Sequence, residues 1–206
     1  MSFHKPWISM WTQPKATIRS IIEKNPNHQL PFLATIYGLY SLLGLAQTFS
    51  WGNLVSLLPL IILIIALAPI WGYLIFSILS GFVYITGKWI GGKGTYKEVR
   101  AAFAWSHVPV IVSNFLWILF LAIFQEALFQ GFPQEKANAL AAFFILLASG
   151  CFLILGIWTL VLYIQSLSEV QKFSALRSIS NIFLASIVFF AVFFLILLSF
   201  VHLIKG

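Results

Sequence analysis

The sequence predicts an all-α, polytopic integral membrane protein: a five-transmembrane-helix bundle with interfacial helices at the N-terminus and in one loop. Three observations predict it. Between Lys24 and Lys88 lie 63 residues without one Asp, Glu, Lys or Arg. The stretches 101–125, 137–168 and 178–204 are also free of these residues, and each is long enough for the ~20 apolar residues that cross a bilayer. The basic residues sit where the apolar runs stop, as topology signals do. Charged residues make up 8% of the 206, against roughly 25% in soluble domains. One membrane domain therefore uses the whole length. Residues 1–30 read as a cytoplasmic interfacial segment and 31–206 as a single five-span domain.

Each element follows in order. Residues 7–24 pattern as an amphipathic helix, with Pro14 suited to a first helical position. Trp7, Trp11, Ile18, Ile21 and Ile22 are expected to face lipid while Lys15 and Arg19 reach headgroups. Pro26 ends the helix. Span 1 covers about 31–50. Span 2 runs from about Leu54 to Thr86, long enough to tilt or bend, and Pro69 marks a helix kink. Gly91, Gly92 and Gly94 form a flexible turn, followed by a T-x-x-E capping box at Thr95 and Glu98. The helix it opens is expected to lie on the membrane surface, with Val99, Ala102, Phe103 and Ser106 on its apolar face. Pro109 then turns the chain into span 3, about 108–129. Span 4 covers about 138–166 and span 5 about 179–204. In the loop between them, Ser174 is placed to cap the last helix.

Charge fixes the count of spans. With five, the N-terminal tail and the 87–100 and 167–177 loops share one side. That side carries ten Lys and Arg, and the other carries only Lys136 and Lys205. Splitting span 2 at Pro69 would divide them six against six. The asymmetry favours five spans, with the N-terminus cytoplasmic and the C-terminus outside. Trp51, Trp89 and Trp105 fall near span ends, as an interfacial belt requires. Trp71, Trp117 and Trp158 fall deeper, and either pack the bundle or stack on a lipid or ligand. Small residues recur at helical spacing: Ala34, Gly38 and Ser41; Ser77 and Gly81; Ala142, Ser149 and Gly156. They serve either bundle packing or a homodimer face.

Chemistry is sparse. No predicted midplane holds an ionisable side chain, which speaks against an ion-coupled transporter with carboxylate chemistry. The four His are scattered, Cys151 is single and there is no Asp. No metal site, cofactor site or catalytic constellation is therefore expected, and the chain does not read as an enzyme. GGKG lacks the spacer and ending of a phosphate-binding P-loop. The +7 net charge reads as attraction to anionic headgroups rather than to nucleic acid. Lys15, Arg19, Lys93, Lys97 and Arg100 are the candidate headgroup contacts.

The segments W-T-Q-P-K-A-T-I-R (11–19), G-G-K-G-T-Y-K-E-V-R-A-A-F-A-W-S-H-V-P (91–109) and V-Q-K-F-S-A-L-R-S (170–178), set among five spans, resemble the Yip1-domain family in its compact bacterial form. The resemblance covers about 10–205. It implies a protein of the bacterial cytoplasmic (inner) membrane, without implying a particular activity. Eukaryotic members that it resembles associate with Rab GTPases through a longer N-terminal region with an acidic, Tyr-Gly-containing motif. That motif is missing from this sequence, so Rab binding is not carried over. The expected partners are membrane lipids, anionic on the cytoplasmic face, and membrane proteins or further copies of the chain. The expected role is organising them; the alternative is a small permease, channel or lipid scramblase, based on the bent span 2 and the deep tryptophans.

Overall fold

The computed structural model describes residues 6–131 and 139–205. Lys5 and Lys136, two of the basic residues used to count spans, lie outside them. The described residues form eight α-helices: α1 (Pro6–Thr12), α2 (Pro14–Lys24), α3 (Leu30–Thr48), α4 (Leu57–Trp89), α5 (Tyr96–Ser106), α6 (Val110–Phe124), α7 (Ala139–Gln171) and α8 (Ala175–Lys205). Short 3₁₀ turns follow α3 and α6. Five segments are long and apolar enough to span: α3, α4, α6 with its 3₁₀ extension, α7 and α8.

α3 and α4 form the central antiparallel pair. Each exposes a small-xxx-small step to the other, Ala34 with Gly38 and Ala68 with Gly72. A Cβ on Gly38 would strike the Ala68 carbonyl, and one on Gly72 would strike the Ala34 carbonyl. Only glycine allows backbones this close, and in lipid that close packing drives association. The pairing also sets the level of each helix. α3 has 19 residues and α4 has 33, which at 1.5 Å per residue is about 28 and 50 Å. With Gly38 at Ala68 and Ala34 at Gly72, the last dozen or so residues of α4 run past the start of α3. α4 continues as one helix through Pro69, so span 2 is a single crossing.

The ends of α4, α7 and α8 that lie beyond α3 meet at the N-terminal side. Thr86 donates to Asn181 at 2.8 Å, and the Asn181 amide donates to the Val83 carbonyl at 3.2 Å. The glycine turn is held here rather than flexible. Gly94 N–H donates to the Gln171 side chain and Lys93 N–H to the Gln171 carbonyl, both at 3.2 Å. A Cβ on Gly87 or Gly92 would collide with the Gln171 amide. The capping box forms in both directions: Thr95 N–H to Glu98 at 2.7 Å and Glu98 N–H to Thr95 at 3.4 Å. Ser174 caps α8 through Arg177 N–H at 3.3 Å.

The expectations about the interfacial helices need correction. The segment 7–24 breaks into α1 and α2 at Gln13, because Pro14 occupies the first turn of the second helix. Ile18 and Ile21 are buried in the protein, packed with Val99, Leu167 and their neighbours, and do not face lipid. α5 is buried on more than its apolar face: every residue from Val99 to Ser106 is covered, because α2, α4 and α7 enclose it. Trp105, expected at the interface, is fully buried, with Trp7 at 5.1 Å and His28 at 6.1 Å between ring centroids.

Two apolar cores result. One surrounds Phe76, Phe103, Trp105, Tyr163 and Leu167 on the N-terminal side. The other surrounds Leu42, Ile64, Trp117, Phe120 and Phe129 toward the far side. α8 packs on α4 and α7, and from Phe190 onward most of its large apolar side chains are exposed, as lipid-facing residues are.

Candidate functional site

The basic set divides into three kinds of position. Lys15, Lys93 and Lys97 are exposed on the N-terminal side. Arg19 is exposed and paired: its Nε donates to the Glu169 carboxylate at 2.9 Å, and Lys172 donates to the same oxygen at 2.8 Å. This pair ties α2 to the end of α7. Arg100 departs from its expected surface position. The residue is 8% exposed, and its guanidinium donates to the Tyr73 hydroxyl at 3.1 Å and to the Asn27 side-chain oxygen at 3.0 Å. The rings of Tyr73 and Tyr96 each lie 5.3 Å from it. Sequence reasoning missed this because Tyr73 and Asn27 are distant in the chain. The signal was only the turn of α5 that places Arg100 beside buried neighbours.

The face therefore consists of α2, the start of α5 and the α7–α8 turn, held together by Glu169, Gln171 and Asn181. It presents three free lysine side chains around a rigid, capped helix start. Lys172 adopts the left-handed backbone conformation, φ 57°, which lets Ser168 and Phe173 exchange hydrogen bonds at 2.8 and 3.0 Å across the turn.

A second feature lies within the spans. A cavity of about 400 Å³ is lined by Tyr37, Tyr40, Ser41, Gly44, Trp71 and Trp117, among others. Positions 37, 40, 41 and 44 share one face of α3. The Trp71 indole donates to Ser41 at 2.7 Å, and the Trp117 indole N–H is buried without a partner. A Cβ on Gly44 would meet nothing within 4 Å. The cavity runs from the middle of α3 toward Gln47 at its far end. Two of the three deep tryptophans thus line it, while Trp158 is 38% exposed on the outside of α7.

His107, in the turn between α5 and α6, keeps some exposed surface, but Tyr37, Phe76 and Phe103 enclose its ring at 4.9, 5.8 and 4.4 Å. Burial pushes its pKa down to about 4, against a partly offsetting hydrogen bond to the Phe103 carbonyl. Because a carbonyl only accepts, Nδ1 carries the proton in that 2.6 Å contact.

The Yip1 domain model matches residues 8–198, and the chain belongs to the Yip1 family. No curated protein and no solved structure matches it.

Proposed function

We propose that this multi-pass Yip1-family membrane protein is a non-enzymatic organiser of membrane lipids or partner membrane proteins, working through its N-terminal face. The observation that carries the reading is the exposure of Lys15, Lys93 and Lys97 on elements that buried contacts hold in fixed positions. Each basic residue near an anionic leaflet contributes about 1 kcal/mol of attraction. The charge asymmetry supports a cytoplasmic side for this face, and the family resemblance supports a bacterial inner membrane. Neutralising Lys15, Lys93 and Lys97 together should reduce the anionic lipid retained after mild purification, and high salt should shrink the difference. Unchanged retention at low salt would reduce these lysines to a topology signal.

A second reading, a lipid scramblase or small permease, draws on the cavity beside Trp71 and Trp117, whose lining reaches the middle of α3 and α4. Gly44→Phe would project into it from a position where an added Cβ meets nothing within 4 Å. If purified wild-type chain moves labelled lipid between the leaflets of vesicles and Gly44→Phe does not, the second reading replaces the first.

A further inference from the structure

We propose that Arg100, with Tyr73, holds the phosphate of one anionic phospholipid whose acyl chain lies in a groove beside α3 and α4. The proposal rests on the lipid-organising reading above and assigns it a specific, partly buried site.

Arg100 is a buried cation whose hydrogen-bond and ring partners, Tyr73, Asn27 and Tyr96, are all neutral. A guanidinium has five N–H donors. Tyr73 and Asn27 accept two of them, and Nε is buried with no partner. Among the described residues the ion pairs are Arg19–Glu169 and Lys172–Glu169, so no carboxylate lies within 4 Å of Arg100. Burying a charge without an opposite charge is costly, and phenol, amide and ring faces compensate only part of that cost. An anion would complement the guanidinium here.

Its position says which kind. Asn27 lies three residues before the first residue of α3, at the membrane boundary of the N-terminal side. Tyr73 belongs both to the Arg100 contact and to a groove of about 490 Å³ lined by Pro31, Pro69, Ile70, Tyr73, Leu74 and Ser77. The groove follows α4 from Ser77 at that boundary down to Pro69, eight residues or about 12 Å deeper into the span. Ser77, at the Arg100 end, has a buried hydroxyl without a partner, and its carbonyl accepts from Tyr96 on α5 at 3.0 Å. A ligand seated here has an anionic head at the boundary and an apolar tail in the span, which is the chemistry of a phospholipid. Arginine's planar fork matches phosphate oxygens. Lys97, one turn earlier on the same side of α5, adds a second positive charge that favours anionic over zwitterionic headgroups.

The test uses the full chain, stripped of lipid in a neutral detergent. Phosphatidylglycerol, phosphatidylcholine and inorganic phosphate are added separately. Thermal midpoint shifts, each read against that variant's own baseline, and native mass spectrometry report binding. The expected result is one phosphatidylglycerol per chain that survives high salt, because a buried contact is screened less than surface lysines. Arg100→Gln should weaken that binding roughly tenfold, the effect of losing a charge-assisted hydrogen bond. Ile70→Trp, which fills the groove and leaves the buried cation intact, should weaken it as well. The site is overturned if both variants bind phosphatidylglycerol as wild type does, if phosphatidylcholine binds equally well, or if inorganic phosphate alone produces the same shift. A Lys15/Lys93 variant, which leaves Lys97 in place, separates the two levels. Loss of the bound lipid in that variant but not in Arg100→Gln overturns this site and leaves the lysine face. Loss in Arg100→Gln alone supports the site, while the lysine reading falls.

Discussion

The two halves of the bundle are built differently. On the N-terminal side, α2, α5 and the ends of α4, α7 and α8 interlock around polar groups. Gln171, Asn181, Thr86 and Arg100 are all buried there, and each binds a partner on another helix or in a turn between helices. Toward the far side, apart from the α3–α4 crossing and the Asn114 amide that donates to the Ile36 carbonyl at 2.9 Å, the contacts are mainly apolar. A cavity of about 400 Å³ lies between α3, α4 and α7, lined by Tyr40, Trp71 and Phe152, and the later turns of α8 are exposed. The difference shows what holds a membrane protein together where lipid competes with protein. Between helices immersed in hydrocarbon, only close backbone approach and hydrogen bonds distinguish a protein neighbour from a lipid chain. Each half relies on whichever of these it has.

The largest expected effect comes from breaking the backbone contact common to both halves. Gly72→Val would drive side-chain carbon into the Ala34 carbonyl. It should cost about 3 kcal/mol or more, at the upper end of overpacking penalties, read as a large fall in thermal midpoint in mild detergent. Next is pH. His107 is neutral when folded, with a pKa of about 4 against the ordinary 6.5. Between those values the unfolded chain binds more protons than the folded one, so stability is full above about pH 6.5 and declines as pH falls toward 4. The loss should reach about 3 kcal/mol, and His107→Gln should flatten the slope. Third, Asn181→Ala removes the bonds to Thr86 and Val83 and should cost about 1 kcal/mol, the scale of interhelical hydrogen bonds in membranes. Smallest is Gly156→Ala on α7. A Cβ there meets nothing within 4 Å, so stability should hold or rise by under about 1 kcal/mol, from removal of a helical glycine. A Gly156→Ala midpoint falling as far as that of Gly72→Val would erase the contrast between a packed and a lipid-facing glycine.

The same contrast explains what could be read from sequence. Span count, the Thr95–Glu98 box and the Ser174 cap are local patterns, and the structure contains them. Burial is not local. The stripe of Ile18 and Ile21 looks the same whether lipid or α5 covers it. Small residues show where helices can approach, not where they do: Gly38 and Gly72 meet, whereas Gly81 and Gly156 have open space. Arg100 read as one of five surface cations because its neutral partners come from α4 and the α2–α3 turn. Gln171 gave no signal, since its role depends on glycines some eighty residues earlier in the chain.

The direct test of the two-half architecture is where lipid chains enter. Chains retaining a single tryptophan, either Trp71 beside the cavity or Trp105 beneath α1, would be placed in bilayers of lipid brominated along the acyl chain. Trp71 fluorescence should be strongly quenched. Trp105, 1% exposed and enclosed by protein, should be nearly unaffected. Equal quenching of the two would mean that lipid reaches both halves alike, contradicting the division between a protein-packed side and one with a cavity beside Trp71.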